Sequence, residues 1–166
     1  MTGSIHVPTK LMKAQGGISS GQAVNLGDTT ANDFVAGIIT AGAGMPLLSS
    51  TGAQYIADLV TTPNTNVELS YAGYARQSLT SVTWAFDATL GVIDWSFGNL
   101  TWAQNSADPG TGRYVFFAWK GVGSSDATYP LVMLFDPNGT GLLSVAAASL
   151  TLISPTGGPL QFTGGG

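Results

Sequence analysis

The chain has no cysteine, which excludes disulfides and thiolate metal sites and leaves the redox compartment open. It has one histidine, His6, which excludes His-cluster metal sites and most His-based catalysis. Charge is scarce: 8% of residues are charged, against about a quarter in ordinary globular domains. Five basic residues face nine acidic ones. Sequence-independent nucleic-acid binding needs clustered Lys and Arg, so nucleic acid is not an expected partner. No apolar run approaches the roughly 20 residues of a membrane-crossing helix. The start, M-T-G-S-I-H-V-P-T-K, lacks the apolar stretch of a secretory signal. The expectation is no membrane partner and no cofactor.

What is present points to strands. The chain has 166 residues, 44% of them hydrophobic, enough for one domain with a real core. Its 23 glycines and 8 prolines argue against long helices. Ser, Thr, Asn, Gln and Gly supply most of the polarity. A net charge of −4 gives weak mutual repulsion between copies. Two readings of this deficit stand side by side: a surface covered by other subunits, or an ordinary Ser/Thr-rich β surface.

The stretch Arg113–Asp136 organises the chain. R-Y-V-F-F-A-W-K and P-L-V-M-L-F-D are short runs of aromatic and β-branched residues around a Gly/Ser loop, the pattern of a strand hairpin. Phe34–Thr40 reads as a strand. Within Arg76–Phe86, the residues Val82, Trp84 and Phe86 recur at period two. Ile93, Trp95 and Phe97 do the same in Val92–Phe97. The short link Asp87–Gly91 pairs those two strands antiparallel. Leu150–Ile153 and Leu160–Phe162 are further strands. Ala53–Leu59 fits a helical turn or a strand, and Leu142–Ala148 fits a strand or a short helix. Roughly eight short strands predict an all-β fold, an antiparallel β-sandwich or barrel-like domain. The expected division is an extended N-terminal arm over 1–31, a β-domain over 32–163 and a flexible glycine tail over 164–166.

The arm carries isolated apolar and basic residues: Ile5, Val7, Lys10, Leu11, Met12, Lys13 and Ile18. Such a segment cannot offset its ordering entropy alone but can do so across a partner. These seven are the candidate partner-binding residues, against the alternative of a disordered tail or a packed first strand.

No constellation announces a chemistry, and the expectation is a non-enzyme. Asp87 and Asp94 bracket a turn, where exposed acids are commoner than a catalytic pair. Asp136-x-Asn138-x-x-Gly141 lacks the further ligands of a calcium loop. Gly42 and Gly44 follow a strand without a phosphate-binding fingerprint. Trp84, Trp95 and Trp119 fall at core positions, which favours packing over a sugar platform. Arg76 and Arg113 each stand beside a tyrosine, as in a structural ion pair or a stack on an aromatic face. Glu68, Asp58 and Asp136 are the candidate acidic partners. These arginines and tryptophans, with Asp136, are read as structural.

A series of stretches then appears in a set order. Asp33-Phe34-Val35-Ala36-Gly37-Ile38-Ile39-Thr40 is followed by Tyr55-Ile56-Ala57-Asp58-Leu59, Glu68-Leu69-Ser70 and Gly73-Tyr74-Ala75-Arg76. After these come Thr83-Trp84, Trp102, Gly112-Arg113-Tyr114-Val115 through Trp119-Lys120-Gly121, and Tyr129-Pro130 through Phe135-Asp136. In order and spacing this resembles a family of small β-rich structural proteins of tailed bacteriophage virions, over about Asn32 to Gln161. The arm is longer than the start associated with that family. The resemblance implies a virion component without enzymatic activity. Its foremost implication is a capsid decoration (cement) protein on the outer surface of the head. Such a protein binds the major capsid protein and copies of itself, often as a trimer. A minor tail or fibre-type protein contacting the host envelope is the alternative, which exposed aromatics such as Tyr71 or Tyr129 would favour. A carbohydrate-binding module is the third reading.

Overall fold

The computed structural model describes residues 4–6, 24–41, 53–61, 64–89, 92–121, 124–137, 141–154 and 160–163. Ten strands lie among them: β1 (Ser4–His6), β2 (Phe34–Thr40), β3 (Gln77–Ser78), β4 (Thr83–Asp87), β5 (Val92–Ser96), β6 (Leu100–Trp102), β7 (Gly112–Trp119), β8 (Leu131–Asp136), β9 (Leu150–Leu152) and β10 (Leu160–Thr163). All pair antiparallel, and the only helix among the described residues is one 3₁₀ segment, Ile56–Val60. The fold is all-β.

The central sheet has the order β1-β8-β7-β2-β3. Its heart is the pairing of β2 with β7, from Phe34 opposite Trp119 to Ile38 opposite Val115. Both strands read as near-continuous apolar runs because both faces of the sheet are covered. Period-two alternation splits their side chains between two clusters. Phe34, Ala36, Ile38, Val115, Phe117 and Trp119 enter one. Val35, Ile39, Tyr114, Phe116 and Ala118 enter the other. A register shift between Phe117 and Ala118 makes β8 bulge, so Val132 and Met133 both face the first cluster.

Two smaller sheets, β10-β5-β4 and β6-β9, supply Trp95, Leu100 and Trp102 to the first cluster. The second cluster is closed by Ala53, Ile56 and Leu59 from the 3₁₀ region. That region is stitched to the β7–β8 connection by main-chain bonds from Ile56 N–H to the Tyr129 carbonyl (3.2 Å) and from Ala57 N–H to the Asp126 carbonyl (3.0 Å). The ambiguity over Ala53–Leu59 thus resolves to a 3₁₀ turn. Leu142–Ala148 is neither helix nor strand: one bridge, Leu143 to Gly112, is followed by bends.

Two parts of the arm belong to the folded body. Ser4–His6 pairs with β8 as an edge strand. Val24 and Leu26 are 3% and 2% exposed and pack in the first cluster. The boundary drawn at residue 31 therefore falls past two core side chains. Asn25 between them and Gly27 after them are exposed. This alternation was too short to register against a polar background. Arg76–Phe86 is not one strand either. Ser81 adopts φ +52°, which separates β3 from β4.

Candidate functional site

The densest polar arrangement is built on Arg76, just ahead of β3. Its guanidinium donates Nε to Glu68 Oε1 (2.9 Å), Nη2 to Glu68 Oε2 (2.6 Å), Nη1 to Asp126 Oδ1 (2.6 Å) and Nη2 to Asp126 Oδ2 (2.7 Å). A planar fork gripping two carboxylates is geometry that Lys cannot supply. The Arg76 carbon also lies 5.4 Å from the centroid of the Phe116 ring. Phe116 can lie there because residue 37 is glycine. A Cβ at Gly37 would fall 2.5 Å from the Phe116 ring and 2.9 Å from Glu68 Oε1.

Tyr74 completes the group. Its hydroxyl donates to Glu68 Oε1 (2.9 Å) and accepts from Ile38 N–H (2.8 Å). Burial, reinforced by the Glu68 carboxylate, pushes this phenol above its ordinary pKa. Hydrogen bonds from Arg76 hold Asp126 below the usual carboxylate range, and Asp126 and Glu68 in turn raise Arg76. Four chain segments meet here: β2, the 64–68 stretch, the approach to β3 and the β7–β8 connection. The arrangement orients and seals these segments. It places no nucleophile beside a base.

A second ion pair joins Arg113 on β7 to Asp136 at the end of β8, with the guanidinium 5.0 Å from the Tyr114 ring. Both sequence-predicted arginines therefore make the ion pairs and aromatic stacks expected of them. Glu68 and Asp136 are partners as proposed. Asp58 is not: its carboxylate accepts from Gln54 N–H and Tyr55 N–H (2.8 and 2.9 Å) at the start of the 3₁₀ turn. Asp126 was missed, since a lone acid in a Gly/Ser loop carries no signal of a partner 50 residues away.

The tryptophans are structural. Trp95 is fully buried, edge-to-face with Phe34 and Phe97 at 5.4 and 5.3 Å. Trp84 is half-buried against the same cluster. Trp119 is 6% exposed and donates Nε1–H to Asp28 Oδ2 at 2.9 Å. Asp28 is lowered to about 2, chiefly by the Thr30 hydroxyl and amide and then by Trp119. Neighbouring Asp33 moves the opposite way, by desolvation and then by Asp28.

Other expectations meet simpler facts. Asp94 pairs with Ala85 and Asp87 with Val92, so those two acids are two rungs apart rather than opposite. Asp136 is engaged by Arg113, and 138–140 lie outside the described residues. Gly42 and Gly44 also lie outside them, as do Val7, Lys10, Leu11, Met12, Lys13 and Ile18. Ile5 is on β1, opposite Phe135. Tyr71 and Tyr129 are half-buried and pack on the two core clusters, not displayed at loop tips. No group of three or more metal-ligating residues occurs among the described residues.

The surface is correspondingly plain. Both arginines and three of the nine acids (Glu68, Asp126, Asp136) are engaged in ion pairs, and Asp28, Asp58 and Asp108 accept hydrogen bonds within the fold. Phe86 and Ile153 are 67% and 68% exposed. A cleft of about 170 Å³ is lined by Val115, Pro137, Leu142, Leu143 and the β9 leucines. Comparison with protein families, with curated proteins and with solved structures finds no match for this chain.

Proposed function

We propose that this chain is a β-sandwich structural protein of a tailed-phage virion, a decoration protein that stabilises the outer shell of the head. Its partners are the major capsid protein and further copies of itself. The ordered series of sequence motifs supports the virion class. One observation carries the role in assembly: both arginines are spent inside the fold while large apolar side chains stand on its surface. The net charge of −4 gives little repulsion to keep copies apart, while Phe86, Leu142 and Ile153 stand exposed. Interface centres are depleted in charge in the same way. A protein that binds only the expanded shell stabilises it by mass action against outward genome pressure.

Residues 1–23 are the proposed grip on the shell or on a sister subunit, with the β-domain projecting. Cryo-EM of the purified virion tests this. Density for the chain at capsomer junctions on the head exterior is the expected result. Density confined to the tail would transfer the role to a minor tail or fibre protein. Absence from the particle would overturn the virion reading and return a carbohydrate-binding module to consideration.

A further inference from the structure

We propose that β1 is an exchangeable strand, and that in assemblies of this protein it pairs with β8 of a second copy. This rests on the structural-protein reading above and adds to it the partner and the docking edge. β1 is three residues long and forms the margin of the central sheet, held there by its ladder to β8: Ser4 opposite Asp136, Ile5 opposite Phe135, His6 opposite Leu134. The sequence limits the ladder, since Pro8 has no N–H to donate.

The connection back to the body is long. Among the described residues Val24 is the next one packed in the core, and the 7–23 stretch of the sequence is long enough to span about 55–60 Å when extended. That reach exceeds the width of a domain of this size, which is about 30–40 Å. The same strand can therefore reach the same edge on an adjacent copy. The exchanged ladder has the same hydrogen bonds and the same Ile5–Phe135 register, so exchange costs little beyond association itself. Copies can approach, because the net charge is only −4 and both arginines are neutralised. Where many copies sit side by side, the effective concentration of foreign β1 rivals that of the chain's own.

Because the native chain has no cysteine, introduced thiols report pairing without background. Chains carrying Ile5→Cys alone and Phe135→Cys alone are refolded together and oxidised. The expected product is a covalent heterodimer joined through positions 5 and 135, identified by peptide mass mapping. A heterodimer yield no higher than for randomly placed cysteines overturns the inference, as does an Ile5→Cys/Phe135→Cys double variant that closes only within single chains. Should Phe135→Cys fail to fold, light scattering decides instead. The unmodified chain is expected to be oligomeric, and Ile5→Pro to lower the oligomer fraction at least tenfold. A monomer at all concentrations would refute exchange. These experiments use no capsid, so exchange can fail while virion location holds, and the reverse.

Discussion

Tyr71 and Tyr74 share an edge-to-face ring contact of 5.4 Å, yet their hydroxyls sit in different settings. The Tyr71 hydroxyl is buried with no hydrogen-bond partner. The Tyr74 hydroxyl serves Ile38 N–H and Glu68. Removing a group that satisfies others costs more than removing one that satisfies nothing. Tyr74→Phe should therefore destabilise by about 1–2 kcal/mol. Tyr71→Phe should be neutral or slightly stabilising, within about 0.5 kcal/mol. Urea unfolding of the pair checks both, and equal losses would show that the rings matter rather than the hydroxyls. Arg76 supports a second test. Arg76→Met leaves two carboxylates together and should cost about 2 kcal/mol near neutral pH. This is less than the ~3–5 of a fully buried pair, because the Asp126 side chain is 43% exposed. The pH dependence has a defined sign. Asp126 is held below its ordinary value of 3.8 by Arg76. Its stabilisation is therefore complete above that value and is lost as pH falls through the lower folded one. The gap between parent and variant should be widest near neutral pH and should narrow as pH falls below 3.8, through the lower folded value. A gap independent of pH would mean that Arg76 acts by packing on Phe116 alone.

At the scale of elements, the 3₁₀ turn Ile56–Val60 hangs on one side chain. Asp58 takes the amides of Gln54 and Tyr55, and Ile56 and Leu59 then point into the second cluster. Asp58→Ala should cost about 1 kcal/mol, as for loss of a helix cap, and should raise amide exchange across 54–59 while leaving β2 and β7 protected. Uniform deprotection would show that the turn is not a separate unit. What the sequence disclosed at this scale follows from how local the cause is. The Phe34–Thr40 strand and the 113–136 hairpin were legible because their apolar runs alone demand burial on both faces. Arg76 and Arg113 were legible as paired residues because rare charges flank strands, with Glu68 and Asp136 among three candidate acids, but which acid meets which arginine was not. The break at Ser81 was not, because a positive φ at a serine is imposed by tertiary contacts. β1 was not, because S-I-H has no periodicity to read. Asp126 reached Arg76 only through the folding of the β7–β8 connection over the sheet.

For the whole molecule, the question is where the folded unit begins. A boundary at residue 31 would leave the first cluster without Val24 and Leu26, which are 3% and 2% exposed against the packing of Trp95, Trp102 and Trp119. It would also remove Asp28, and with it the acceptor for Trp119 Nε1. Full burial of a Val or Leu side chain is worth roughly 1.5–3 kcal/mol, and an orphaned buried donor costs a further ~1–3. The sum, about 4–9 kcal/mol, rivals the whole stability of a domain of this size, which is about 5–15 kcal/mol. Deleting residues 2–31 should therefore yield a chain without cooperative thermal unfolding. Deleting residues 2–23 keeps every one of these contacts and, among the described residues, gives up the short β1 ladder. It should unfold cooperatively, with a midpoint within a few degrees of the full chain. If both deletions unfold alike, residues 24–31 are a passive covering and the unit begins at β2. If the shorter deletion alone folds but no longer binds capsids, then stability and assembly are carried by separate parts of one N-terminal segment, divided near residue 24.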